Sequence, residues 1–221
     1  MSRTVDALLD ELRRKVLRMG GLAEAILDKA LRALWARDAV LAGEVAADDL
    51  DIDRLDVDID EAVLKVLALQ APVANDLRHV FAVKMIATDL ERVGDLARNI
   101  AKSAIRLSTQ PQVPLPAMLH ELADESRRLL REALDSSTDL DVEKAEHVLR
   151  EDDLVDEHEG LVIQEAVRAL GRSPDLAPQE VDFILVAKHL ERVADHATNI
   201  AEDVILATQA RNVKHAEKLA R

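Results

Sequence analysis

Two stretches of this sequence carry residues whose types and spacing could do chemistry. Asp89–Ala101 reads DLERVGDLARNIA and sets Glu91 and Asp95 four residues apart. His189–Ala201 reads HLERVADHATNIA and sets Glu191 and Asp195 at the same spacing. Upstream of each lies a second acidic set, Asp49, Asp53 and Asp56 in one case and Asp152, Asp156 and Glu159 in the other. A spacing of four puts two carboxylates on one helical face, where like charges cost about 0.2–0.5 kcal/mol per pair. Such pairs stacked on neighbouring helices call for compensating positive charge. Arg92 and Arg192 beside the acids are one source. A hard cation held between helices is the other, since oxygen donors suit magnesium, calcium, manganese or iron. A single E-x-x-x-D is most often a solvated acidic face. The recurrence of both acidic sets shifts the balance toward cation binding. The expected metal ligands are Asp49, Asp53, Glu91, Asp95, Asp152, Asp156, Glu191 and Asp195, and the expected ions are iron, zinc, manganese or magnesium.

Other reactive chemistry is sparse. There is no cysteine, which excludes disulfides, thiolate catalysis and Cys-ligated zinc or iron–sulfur sites. His79, His120, His147 and His215 stand alone in the sequence and read as surface residues. Asp89 and His189 occupy equivalent places, where each reads as a polar surface residue or as one extra ligand. No Glu is followed three residues later by His, so the Glu-x-x-His pattern of di-iron bundles is missing. Phosphate-cradling Gly-rich loops, H-E-x-x-H and nucleophile elbows are also missing. The expectation is a protein without catalysis. The runner-up is a metal-handling bundle, for storage or as a metalloenzyme, which would need open coordination beside a substrate cavity.

The elements that must position the acids are helices. Apolar residues recur at helical spacing over six segments: about Thr4–Trp35, Asp38–Leu69, Pro72–Ser108, a fourth ending near Ser137, Leu140–Leu170, and a sixth from near Pro178 past residue 205. Strand signals are lacking. Helices of about 30 residues are about 45 Å long. The Pro-dense Pro111-Gln-Val-Pro-Leu-Pro116 is the best linker, giving units 1–110 and 111–221. The two reactive stretches agree at nine of 13 positions with an offset of 100, while Asp49, Asp53, Asp56, Asp38 and Ala42 repeat at an offset of 103. A duplication explains this. The expected fold is all-α, two pseudo-symmetric antiparallel three-helix bundles.

On the third helix Glu91, Asp95 and Asn99 form a stripe that faces away from the apolar stripe of Ile86, Leu90, Val93, Ala97 and Ile100. On the second helix Asp49, Asp53 and Asp56 border the core seam. Counted from the turn near residue 71, Asp53 and Glu91 lie at similar distances, about 27 and 30 Å along their helices. The acidic sets of each half therefore fall at one level.

Composition narrows the partners. Hydrophobic residues make up 48% of 221, enough for a core, yet aromatics are only 1%, so the core is aliphatic and suits close helix packing. The formal net charge of −14, with no basic block, disfavours nucleic acid and direct attraction to anionic lipid. No apolar run is long enough to span a bilayer and the N-terminus has no signal-peptide core, so the expected compartment is the cytoplasm.

Gln70-Ala-Pro-Val-Ala-Asn-Asp-Leu-Arg78 followed by Asp89-Leu-Glu-Arg-Val-Gly-Asp95, the second copy His189-Leu-Glu-Arg-Val-Ala-Asp195 and the early Met19-Gly-Gly21 together resemble the PhoU family. The resemblance runs from about residue 5 to residue 210. It implies two symmetry-related three-helix bundles and an accessory, negatively regulating role in phosphate homeostasis. It also implies partners: a phosphate ABC transporter with its ATPase, a sensor histidine kinase, and a second copy in a homodimer. Some members carry metal clusters on E/D-x-x-x-D motifs, which here fall on Asp49/Asp53, Glu91/Asp95, Asp152/Asp156 and Glu191/Asp195. Accessory proteins of other phosphate carriers share the fold. The second half departs from the first at Gly171-Arg-Ser-Pro-Asp-Leu-Ala-Pro178, which offers no counterpart to Asp76 and Arg78.

Overall fold

The computed structural model describes residues 2–214, with side chains from residue 7 onward. Six α-helices and one 3₁₀ turn make up the described chain: α1 (Ser2–Ala36), α2 (Ala39–Gln70), α3 (Ala74–Ser108), α4 (Leu119–Asp139), α5 (Val142–Arg172), the 3₁₀ turn Pro174–Leu176, and α6 (Ala177–Gln209). No strand occurs among the described residues. His215 lies outside them.

The duplication is visible in the helix ends. Asp38 Oδ1 accepts from the backbone N–H of Val40 at 2.9 Å and Leu41 at 3.0 Å, capping α2. Asp141 Oδ1 accepts from Glu143 at 2.9 Å and Lys144 at 3.1 Å, capping α5. A short acceptor at this position satisfies N–H groups that have no partner within the helix. The residue before each cap, Arg37 and Leu140, adopts φ of 53° in both halves. Two non-glycine residues in the left-handed region at equivalent places mark one inherited tight turn. The second connection is where the halves diverge. α2 and α3 are joined through Ala71 and Ala74 at positive φ, whereas the 3₁₀ turn Pro174–Leu176 leads into α6.

α4 is the exception to the expected length. It has 21 residues against 31 to 35 in the others. Pro111, Pro114 and Pro116 cannot donate a backbone hydrogen bond, and they hold the preceding segment out of helix.

α1 and α2 pack on α3, α4 and α5 pack on α6, and α3 and α6 pack on each other. One continuous core runs through both triplets, including Met19, Ile26, Ile52 and Leu90 from the first and Leu129, Phe183, Leu190 and Ile200 from the second. Gly94, Ala97, Ala101, Ala194, Ala197 and Ala201 are buried on the two central helices, so small side chains let the axes approach. Asp89 meets His196 and Arg106 meets Asp182, so α3 and α6 run antiparallel. With the offset of 100, the pseudo-twofold axis passes beside Val93 and Val193. No helix is long and apolar enough to cross a membrane.

Candidate metal centre

The antiparallel α2–α3 hairpin brings the first-half acids to one level. Asp49 is 1% exposed and its Oδ2 accepts from Arg98 Nη1 at 2.8 Å. The same guanidinium bonds Asp95, through Nη2. Arg92 reaches Glu91 and Asp95, each at 3.3 Å. One turn along, Lys84 lies 3.2 Å from Asp56 and 2.5 Å from Asp60. Glu91 and Asp95 are half-buried against α2. The stripe expected to face away from the core faces the helix-two acids instead. The helical wheel places those residues opposite α3's own core face, but α2 packs over part of that side.

Burial pushes the Asp49 carboxyl above its ordinary range, Arg98 pulls it back, and Asp53 and Asp95 push it up further. Glu91 is raised by burial first, then by Asp95, with Asp56 and Asp53 across the seam adding to it. The carboxylates thus feel each other between helices as well as along them.

The second half repeats the acids without the arginine. Thr198 stands where Arg98 stands in the first half, and its hydroxyl donates to Asp195's own backbone carbonyl at 2.8 Å. Burial and the neighbouring Asp195, Asp156 and Asp153 push Asp152 up to about 6. Glu191 and Asp195 are raised as well, by burial first and then by Asp195 and Asp156 respectively. Lys188 pairs with Glu159. Among the described residues Asp152, Asp156, Glu191 and Asp195 form no ion pair.

The eight sequence-derived residues therefore gather into two clusters of four. Their donors are carboxylate oxygens, which suit a hard cation. One buried oxygen lacks a partner: Asp49 Oδ1 accepts no hydrogen bond. A Cβ built on Gly94 would lie 2.6 Å from that oxygen, so the glycine leaves room beside it. Ala194 fills the matching place in the second half. As they stand, no three Asp, Glu or His side chains among the described residues are gathered tightly enough to hold an ion.

Sequence reasoning named Arg92 and Arg192 as counter-ions and missed Arg98, Lys84 and Lys188. Arg98 was findable, because it sits one turn beyond Asp95 and reaches back to it. Its bond to Asp49 depends on the hairpin. Arg192 makes no close ion pair among the described residues, but its charge, with those of His196 and Lys188, pulls Asp195 back down. Asp89 is turned toward α6 rather than α2, bonding His196 at 2.8 Å and Asn199 at 3.2 Å, which separates it from the first cluster. His120 is exposed and stacks on Trp35 with ring centroids 4.1 Å apart, and His147 is exposed. His79 is not a plain surface residue. It lines an apolar cavity of about 90 Å³ with Arg13, Val16, Ile86 and Val204, away from both clusters.

The family model described as PhoU domain matches residues 16–104 and 119–204. A Pseudomonas putida protein described as a phosphate-specific transport system accessory protein PhoU homolog is 33% identical over 216 residues, 97% of this chain and 84% of that protein. The Escherichia coli K12 phosphate-specific transport system accessory protein PhoU is 31% identical over 216 residues, 97% of this chain and 89% of that one. Among solved structures, PhoU from Pseudomonas aeruginosa superposes with a TM-score of 0.91 at 32% identity, covering 93% of this chain and 99% of that chain. The phosphate transport system regulatory protein PhoU from Streptococcus pneumoniae gives 0.87 at 27% identity, covering 95% and 99%. With both helical triplets matched and the alignment running nearly end to end, this chain belongs to the PhoU family.

Proposed function

We propose that this protein is a cytoplasmic, non-enzymatic accessory regulator of a phosphate-uptake system. It represses the phosphate-starvation response when phosphate is plentiful, linking a phosphate ABC transporter and its ATPase to a sensor histidine kinase. The observation that carries this reading is the alignment over 97% of the chain with relatives described as accessory proteins of phosphate-specific transport. An adaptor needs exposed surface for partners, and the start of α3 has it. Val73, Leu77 and Phe81 follow one another at helical spacing and are 72%, 44% and 50% exposed. Exposed apolar stripes of this kind serve protein contacts, here with the transporter, the kinase or a second copy of the chain. The acidic clusters give the regulator cation sites at Asp49, Asp53, Glu91 and Asp95 and at Asp152, Asp156, Glu191 and Asp195.

Deleting the gene tests the reading. A phosphatase reporter of the starvation response then stays on in high phosphate, and the wild-type gene restores repression. Normal repression in the deletion strain refutes the regulatory role. Capture of the tagged protein from phosphate-replete cells, read by mass spectrometry, distinguishes an ABC importer from another phosphate carrier as the partner.

A further inference from the structure

The pseudo-twofold relation carries one end of the α3–α6 pair onto the other, and the two ends are filled differently. At one end Leu34 and Trp35 of α1, Leu107 of α3 and Phe183 of α6 meet, with Val113 and Leu115 of the Pro-rich linker beside them. Leu34, Leu107 and Phe183 are buried, and about 40 Å³ is left between the side chains. The offset of 103 holds along α1 and α4, where Met19, Ile26 and Ala30 match Leu122, Leu129 and Ala133 in burial. With the offset of 100 for α3 and α6, it takes Leu34, Trp35, Leu107 and Phe183 to Ser137, Thr138, Ala207 and Val83. Each of these is smaller than its counterpart, and together they line a cavity of about 90 Å³. No linker closes this end. Instead α1 runs on as helix and supplies Arg13, Val16 and Leu17 to the wall.

Ala82, Ile86, Val204 and Ala207 are buried in the wall, whereas Arg13 and Leu17 are half-exposed at the opening. The carboxylate that faces Arg13 is Asp10, exposed and 3.7 Å away, beyond hydrogen-bond reach. His79 lies in the same wall. Burial first, then the charges of Arg13 and Arg78 against that of Asp76, hold its pKa below the ordinary range, so the ring is neutral at pH 7 and keeps one N–H to donate. We propose that this cavity binds a short aliphatic carboxylate, its chain among Val83, Ile86, Val204 and Ala207 and its head at the Arg13 guanidinium, with His79 as the second donor. A volume of about 90 Å³ is below the ~150 Å³ of a dry cavity that takes benzene, so the walls suit a chain end rather than a ring. An occupant returns the packing contacts that the four small side chains leave unmade. A guanidinium meets a carboxylate with two parallel N–H donors, which selects the acid over the matching alcohol.

The test titrates the full chain with hexanoate and, separately, with hexanol, reading side-chain methyl shifts by NMR. The wild type is expected to show saturable shifts at Val83, Ile86 and Val204, with hexanoate bound about tenfold more tightly than the alcohol. Arg13→Gln is expected to erase that preference and leave alcohol binding intact. Val83→Phe and Ala207→Leu each restore the bulk present at the other end, and each is expected to abolish the shifts at Ile86 and Val204 with both probes. Far-UV circular dichroism confirms that each variant is folded, and the Arg13→Gln result does not depend on whether the filled variants fold. Absence of saturable shifts in the wild type with either probe, or undiminished shifts in a folded filled variant, overturns the site. Equal affinity of the wild type for acid and alcohol, or a preference that survives Arg13→Gln, overturns the assignment of a carboxylate to Arg13.

Discussion

His196 Nδ1 lies 2.8 Å from Asp89 Oδ1 across the α3–α6 seam, and Asn199 Nδ2 donates to the same oxygen at 3.2 Å. The pseudo-twofold relation carries Asp89 to His189 and His196 to Leu96, so this polar pair has no mirror image on the other side of the axis. The same holds for Arg106, which bonds Asp182 at 2.9 Å while its counterpart is Leu206 and that of Asp182 is Ala82. Duplication supplied the seam, and later divergence fixed it with polar pairs that flank the axis and have no symmetric counterparts. Breaking a buried polar pair by removing one member leaves the other unsatisfied and costs roughly 1–3 kcal/mol. Asp89→Ala and His196→Ala are each expected to lower stability by that order. A double-mutant cycle is expected to show the two losses overlapping, since the second truncation removes an already orphaned group. Denaturant unfolding measures it, and strictly additive losses would show that the contact contributes nothing.

Asp203 is fully buried, and burial pushes its carboxyl up to about 6 despite Lys214 3.0 Å away. The ordinary value for the unfolded chain is 3.8. Because the folded pKa is the higher one, the native state holds the proton more tightly between these values. This stabilisation is present below about pH 3.8 and is lost as pH rises through about 6. Asp203→Asn cannot titrate. Relative to wild type it is expected to be more stable at pH 7.5, by up to about 3 kcal/mol less what the lost Lys214 pair contributes, with the advantage shrinking to nothing near pH 4. Paired melts across that range check it. A variant penalty that grows with pH would reverse the sign and defeat the argument.

The capping aspartates provide a symmetric test. Asp38→Ala and Asp141→Ala each remove an acceptor that holds two backbone N–H groups, and each is expected to cost about 1 kcal/mol. In a chain of this size that lowers the melting temperature by about 2–4 °C. Because the two caps sit far apart, the double variant is expected to lose the sum. Unequal losses would show that the two tight turns are not energetically equivalent.

Phe81 is half-exposed on α3, so Phe81→Asp removes apolar surface without opening a cavity. Its unfolding free energy is expected to stay within about 0.5 kcal/mol of wild type, the range of ordinary surface changes. Capture of partners from phosphate-replete cells is expected to fall. Retention of every partner by this variant would move the docking surface away from the start of α3.

Local pattern determined much of this protein. Apolar spacing at 3.6 residues gave five helices close to their observed ends, and prolines marked the start of the shorter fourth, because both effects act within one or two turns of the chain. The repeat of Asp38 and Asp141 was visible as an offset, and the structure shows the physical reason in two identical caps. Equal distances from the turns put each acidic set at one level, since helical rise is uniform. Charge balance was decided elsewhere. Arg98 could be counted beside Asp95 in the sequence, but only the α2–α3 hairpin brings Asp49 within its reach, and only that packing buries Asp49 to 1% exposure. The asymmetric seam of Asp89, His196, Arg106 and Asp182 was equally hidden. Its partners come from α3 and α6, about 75 to 110 residues apart in the chain, and side-chain contacts at that range follow from how helices dock rather than from how each one forms.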